Sequence, residues 1–155
     1  LAMLILARSR RLLVASAGPH RSVSTLPKHR LMPMPRLSPT MQQGIVRWNL
    51  NVGDPLDDMS VACEVQTAEL TDDPEDGTFV LEIEAHEEGY LAAMLVPSGG
   101  SASPDEAIAV ICEELQDVGA FKDYPTTPKQ HVEPATFAWQ AYLKSGQDAR
   151  ACSHS

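Results

Sequence analysis

Two stretches of this chain repeat one plan. "GIVRWNLNVGDPLDDMSVACEV" (Gly44 to Val65) and "GYLAAMLVPSGGSASPDEAIAVICE" (Gly89 to Glu113) each run from a glycine through a short apolar strand, a glycine turn and an acidic, proline-containing loop to a second apolar strand ending Cys-Glu. Cys63 and Cys112 fall at equivalent places. The apolar runs are short and bounded by Gly and Pro, which favours strands over helices. A strand with one apolar face must bury it against a second layer, so two similar halves imply an all-β, two-fold related sandwich or flattened barrel. Ile45, Val46, Trp48 and Leu50 in the first copy, and Tyr90, Leu91, Met94, Leu95 and Val96 in the second, are the expected core residues. Between the copies, "FVLEIEA" alternates Phe79, Leu81 and Ile83 with Val80, Glu82 and Glu84, giving one apolar and one largely acidic face.

A chain of 155 residues with 5% aromatic residues suits one small domain plus tails rather than a large core. Its net charge of −9 is unevenly spread: no Asp or Glu precedes Asp54, and no Lys or Arg lies between Arg47 and Lys122. The acidic body repels phosphate backbones, which argues against nucleic acid as a partner. The basic front, residues 1–30, carries Arg8, Arg10, Arg11, Arg21, Lys28 and Arg30 among Leu, Ala and Ser with no acid, the composition of a mitochondrial transit segment. Those arginines interrupt the apolar run well before the roughly 20 residues a membrane-spanning helix needs, so no transmembrane helix is expected. Cys63, Cys112 and Cys152 lack C-x-x-C spacing and are expected as reduced thiols of a matrix-like compartment. The histidines at 20, 29, 86, 131 and 154 are scattered, so no zinc ligand set is visible.

"MPRLSPTMQQGIVRWNLNVGD", followed by "ACEV", "EIEAHEEGYLAAMLVPSGG" and "IAVICE", resembles the lipoyl domain of mitochondrial dihydrolipoamide acyltransferases, the swinging-arm subunits of 2-oxoacid dehydrogenase complexes. The resemblance runs from about Met34 to Glu113 and opens on Met34-Pro35-x-Leu37-Ser38-Pro39-Thr40-Met41, close to a signature of that family. It implies two four-stranded antiparallel sheets related by a two-fold, with a lipoylated lysine at the tip of the hairpin that joins the halves. Here the chain departs from the family. Aligned from the left, Glu69 occupies the lysine position; aligned from the right, Thr78 does. Neither has the amine that an amide to lipoate requires, and the loop is about nine residues longer than a family hairpin, whose tight tip presents the lysine. The nearest downstream lysine, Lys122, lies beyond the repeat. The expectation is a domain carrying neither lipoate nor biotin, and no other cofactor.

The long loop is acidic: Asp72, Asp73, Glu75 and Asp76. As an EF-hand it fails, because with Gly77 as sixth position Pro74 stands third and Ile83 twelfth, where oxygen ligands are required. No metal site is expected; the loop reads as a solvated surface or as a contact for a basic partner. Ser38, Cys63 and His86 lie in different segments without a nucleophile motif, and "PSGGSASP" lacks the spacing and lysine of a phosphate loop. No catalytic residue, no small-molecule substrate and no enzymatic activity are expected.

The chain is thus divided into a transit-like segment (1–30), a lipoyl-like domain (31–115), and a Pro-rich linker with one short C-terminal helix (116–155). Glu133 and Pro134 suit the start of that helix and Gly146 its end. Phe137, Trp139 and Tyr142 either pack back on the sandwich or dock on a partner. The stretch after the lipoyl-like domain, residues 116–155, is expected to be too short for the subunit-binding or catalytic domain of the acyltransferases. The expected role is that of a non-catalytic, non-lipoylated accessory subunit among the proteins of a large assembly, in the mitochondrial matrix or on the matrix side of the inner membrane. A respiratory-chain complex is one such assembly. The alternative is a degenerate arm, or lipoyl-domain component, of a 2-oxoacid (pyruvate) dehydrogenase complex.

Overall fold

The computed structural model describes residues 25–125, 130–133 and 136–144. Its strands are β1 (His29–Pro33), β2 (Gly44–Trp48), β3 (Pro55–Leu56), β4 (Ser60–Thr67), β5 (Phe79–Ala85), β6 (Gly89–Met94), β7 (Ser101–Ala102), β8 (Ala107–Cys112) and β9 (Trp139–Leu143). They form two sheets, ordered β1-β8-β6-β3 and β7-β2-β4-β5-β9. Each copy of the repeat supplies a three-strand set, β2 to β4 and then β6 to β8. Replacing each of the first eight strands by the one four places along turns the first order into β5-β4-β2-β7, so the repeat is realised as a two-fold relation between the sheets. The all-β flattened sandwich expected from the sequence is the fold observed.

The main core lies between the sheets. Val46, Val65, Ile83, Leu91 and Ile108 are fully buried there with Met32, Met34 and Met41, each side chain contributing about 1.5–3 kcal/mol of burial. The alternation of β5 places Leu81 and Ile83 inward. Ile45 departs from expectation, being 37% exposed beside the fully buried Val46: adjacent strand residues face opposite sides, and only one can reach the core. Trp48, Leu50, Met94 and Val96 are half-buried around that core.

A second, smaller core covers the other face of the four-stranded sheet. A short 3-10 helix, Leu115–Phe121, sets the fully buried Phe121 against Val110, Cys112 and Ala92. The ring meets His29 edge-on at 5.0 Å. β8 is therefore buried along its whole length, with Ala109 and Ile111 facing the main core and Val110 and Cys112 facing the helix.

The sequence-drawn segments need two amendments. β1 begins at His29, inside the stretch read as transit-like, of which residues 1–24 lie outside the described residues. The C-terminal helix is replaced: Trp139–Leu143 is strand β9, pairing antiparallel with β5 from Ala85↔Trp139 to Leu81↔Leu143. A free edge of β5 offers a row of unpaired backbone groups to any extended segment that reaches it. Residues 126–129 of the Pro-rich linker lie outside the described residues.

Candidate functional site

The distinctive feature is the hairpin joining β4 to β5. Its ladder closes at Thr67↔Phe79, leaving residues 68–78 as the loop. The loop root is tied to the segment before β2. Thr67 Oγ1 donates to the Gln43 carbonyl at 3.1 Å and accepts the Glu69 N–H at 3.1 Å. Ser38 Oγ donates to the Glu69 carbonyl at 2.5 Å, and Thr40 Oγ1 to the same oxygen at 3.3 Å. The Glu69 side chain then turns back: its carboxylate accepts the N–H of Gln43 at 3.1 Å and that of Gln42. Glu69 is half-buried and Leu70 packs on the edge of the main core.

The rest of the loop projects into solvent. Asp73 Oδ1 accepts the Glu75 N–H at 2.9 Å and so caps the one-turn 3-10 helix Pro74–Asp76. Thr71 Oγ1 donates to Asp76 Oδ2 at 2.6 Å, and Gly77, at φ +79°, reverses the chain toward β5. Asp72, Asp73, Glu75, Asp76 and Thr78 are all exposed. None of the ion pairs among the described residues involves these carboxylates; the pairs are Lys28–Glu113, Arg30–Glu87, Arg36–Asp105, His86–Glu84 and Lys144–Glu64. A cleft of about 470 Å³ runs beside the loop root, lined by Gln43, Ile45, Gln66, Ala68 and Ser101. The exposed flank of Ile45 forms its apolar wall.

Of the two residues that alignment sets at the lysine position, one is drawn into the hairpin root and the other stands in solvent on the return limb. Ser38, Cys63 and His86 are not brought together. Ser38 holds the Glu69 carbonyl, Cys63 is buried in the core, and His86 Nε2 lies 3.2 Å from Glu84 Oε1. Burial, assisted by the Glu64 charge, pushes the Cys63 thiol up to about 12, so at neutral pH it is not a thiolate nucleophile. Of the three C-terminal aromatics, Phe137 is 2% exposed and belongs to the main core, which removes it as a docking residue. Trp139 is half-buried against that core, and Tyr142 is 43% exposed. Sequence reasoning missed Glu87, whose carboxylate accepts from Arg30 at β1 and from the Ala138 N–H at 3.1 Å, linking both ends of the described chain.

A two-fold sandwich with this hairpin at the junction of its halves is lipoyl-type in architecture. No family model matches the chain. It is 39% identical over 125 residues to dihydrolipoyllysine-residue acetyltransferase component 3 of the mitochondrial pyruvate dehydrogenase complex of Arabidopsis thaliana, covering 79% of this chain and 21% of that protein. It is 38% identical over 106 residues to the corresponding acetyltransferase component of Saccharomyces cerevisiae, covering 67% of this chain and 20% of the other. With the Caenorhabditis elegans component it shares 36% over 105 residues, 66% of this chain and 19% of the other. The chain thus spans about a fifth of the length of these relatives.

These likenesses correct one expectation and reweigh another. The expectation of no enzymatic activity is contradicted: the similar proteins are named as acetyltransferase components of the pyruvate dehydrogenase complex, of which this chain matches about a fifth. They also favour the pyruvate dehydrogenase alternative over a respiratory-chain subunit.

Proposed function

We propose that this chain works in the mitochondrial matrix as a lipoyl-domain-like component of a 2-oxoacid, most simply pyruvate, dehydrogenase complex, and that its β4–β5 hairpin makes protein contacts without carrying an acyl group. The observation that supports this best is the hairpin itself. It stands at the junction where a lipoyl domain presents its lysine, on a chain similar to acetyltransferase components of that complex, and it offers Glu69 and Thr78 there. A carboxylate or hydroxyl cannot form the amide that would tether lipoate. What the hairpin does present is Asp72, Asp73, Glu75 and Asp76 on an exposed, capped turn, a surface suited to a basic patch on a partner subunit. Individual surface ion pairs are weak, so such a contact draws its strength from several at once. The basic stretch ahead of β1, residues 1–28, is assigned the role of import signal, and the sandwich beginning with β1 that of the contact domain.

Capture of the tagged chain from mitochondria, followed by identification of what accompanies it and by intact mass, tests the reading. Acetyltransferase and dihydrolipoamide dehydrogenase subunits in fixed ratio, with no lipoyl adduct on the chain, are expected. Respiratory subunits as the companions would overturn the assignment of complex, and an adduct on Lys122, Lys129 or Lys144 would overturn the assignment of role.

A further inference from the structure

β5 is the outermost of the two-fold related strands on one edge of its sheet, and β9, which covers it, has no counterpart in the other sheet. The attachment continues past the ladder on both sides. His86 N–H donates to the Ala138 carbonyl at 3.0 Å, Ala138 N–H to Glu87 Oε1 at 3.1 Å, and Lys144 N–H to the Val80 carbonyl at 3.0 Å. Phe137, Trp139 and Ala141 pack on the main core, whereas Gln140 and Tyr142 are exposed on the other side. The edge therefore accepts an antiparallel extended segment patterned aromatic–x–aromatic–x–small.

The charge on the outer face shows what β9 leaves unsatisfied. Glu64 lies directly opposite Glu82 across β4 and β5, a like-charge cross-strand pair. On β2, Arg47 stands opposite Glu64, and Lys144 Nζ reaches the same Glu64 at 2.5 Å. Glu84 is met by His86 Nε2 at 3.2 Å. On the β9 side, Glu82 and Glu84 face Tyr142 and Gln140, both neutral. A segment with Lys or Arg at those two places would pair each carboxylate with an opposite charge and gain about tenfold in affinity over β9 itself.

We propose that the edge of β5 covered by β9 is a strand-acceptor site for an extended segment of a partner protein carrying the Phe-x-Trp-x-Ala pattern with basic residues at the two outward positions, and that β9 is its built-in competitor. This inference does not depend on which complex the chain serves. The tether holds β9 at an effective concentration on the order of millimolar, so in the intact chain the site is closed to weak segments and open to the better-matched one. Main-chain pairing supplies the affinity and the alternate side chains the selectivity, the mode in which sheets take a strand from another protein.

Two labelled peptides test it on the full chain: residues 136–144 as they stand, and the same peptide carrying Gln140→Lys and Tyr142→Lys. The chain is used unaltered and as Gln140→Pro, which removes an N–H that β9 directs at β5. Fluorescence anisotropy should show the basic peptide binding the Gln140→Pro chain at least tenfold more tightly than the unaltered chain. It should also bind about tenfold more tightly than the plain peptide, with new hydrogen-exchange protection at Glu82 and Glu84, whose backbone groups face β9. Equal binding to both chains, or protection elsewhere, overturns the proposal. Should Gln140→Pro fail to fold, the chain carrying Gln140→Lys and Tyr142→Lys decides: its β5–β9 amides should exchange at least threefold more slowly than in the unaltered chain, and unchanged or faster exchange overturns the proposal.

Discussion

Glu69 and Gln43 are joined across the root of the long hairpin, the carboxylate of one accepting the backbone N–H of the other at 3.1 Å while also accepting that of Gln42. The charge is thus used inward, to satisfy two donors of the segment leading into β2. Glu69→Ala should destabilise the domain by about 1–2 kcal/mol, and Glu69→Gln, which keeps an acceptor oxygen, by less than half as much. Urea midpoints of the two variants check this. Equal losses would show that the contact is packing rather than hydrogen bonding.

Installing an amine at position 69 should not by itself restore a lipoyl acceptor. Ser38 and Thr40 hold the Glu69 carbonyl, and Leu70 is packed on the core edge. A residue fixed at the root of a loop is not presented at the tip of a turn. With a lipoyl ligase in vitro, Glu69→Lys should be modified to under one-tenth, whereas Glu69→Lys with residues 71–78 removed should be modified substantially. Intact mass reads the outcome, and full modification of the long-loop variant would sink the idea.

Gly89, at the start of β6, has φ +149°, and a Cβ there would lie 2.5 Å from the Cys112 carbonyl oxygen and 2.9 Å from Ile111 Cγ2. Gly53 has φ +95° but open space around it. Gly89→Ala therefore combines backbone strain with a clash against main chain and should cost more than about 3 kcal/mol, while Gly53→Ala should cost only the roughly 1 kcal/mol of an unfavourable φ. Thermal unfolding of the pair, compared under one condition, provides the check.

The Cys63 thiol sets an alkaline limit. Its folded value is raised by burial from 9.0 to about 12, so between those two values the unfolded chain has lost this proton while the folded chain keeps it. Stability is then unaffected by this group below about pH 9 and falls as pH rises from there toward 12, by up to about 1.4 kcal/mol per pH unit. Cys63→Ala or Cys63→Ser should flatten that limb of the stability curve. In the native state Cys63 should also resist thiol reagents at pH 8, reacting only on unfolding.

The sequence by itself determined the sandwich and the missing amine. Period-two alternation and Gly and Pro punctuation are local signals, and their repetition from Gly44 and again from Gly89 leaves little but two paired sheets able to bury both halves. That no lysine stands between Arg47 and Lys122 is likewise a fact of the sequence. Tertiary structure alone decided the rest, because it turned on partners distant along the chain. Residues 137–143 fit two periods, with Phe137, Trp139 and Ala141 spaced for a strand and Trp139, Tyr142 and Leu143 for a helix. The unpaired edge of β5, more than fifty residues earlier, selected the strand by satisfying its backbone. In the same way, nothing near Glu69 in sequence says whether its carboxylate faces water or the N–H groups of Gln42 and Gln43. That depends on the fold bringing the two segments within hydrogen-bond distance, where two donors otherwise left without that acceptor hold the charge.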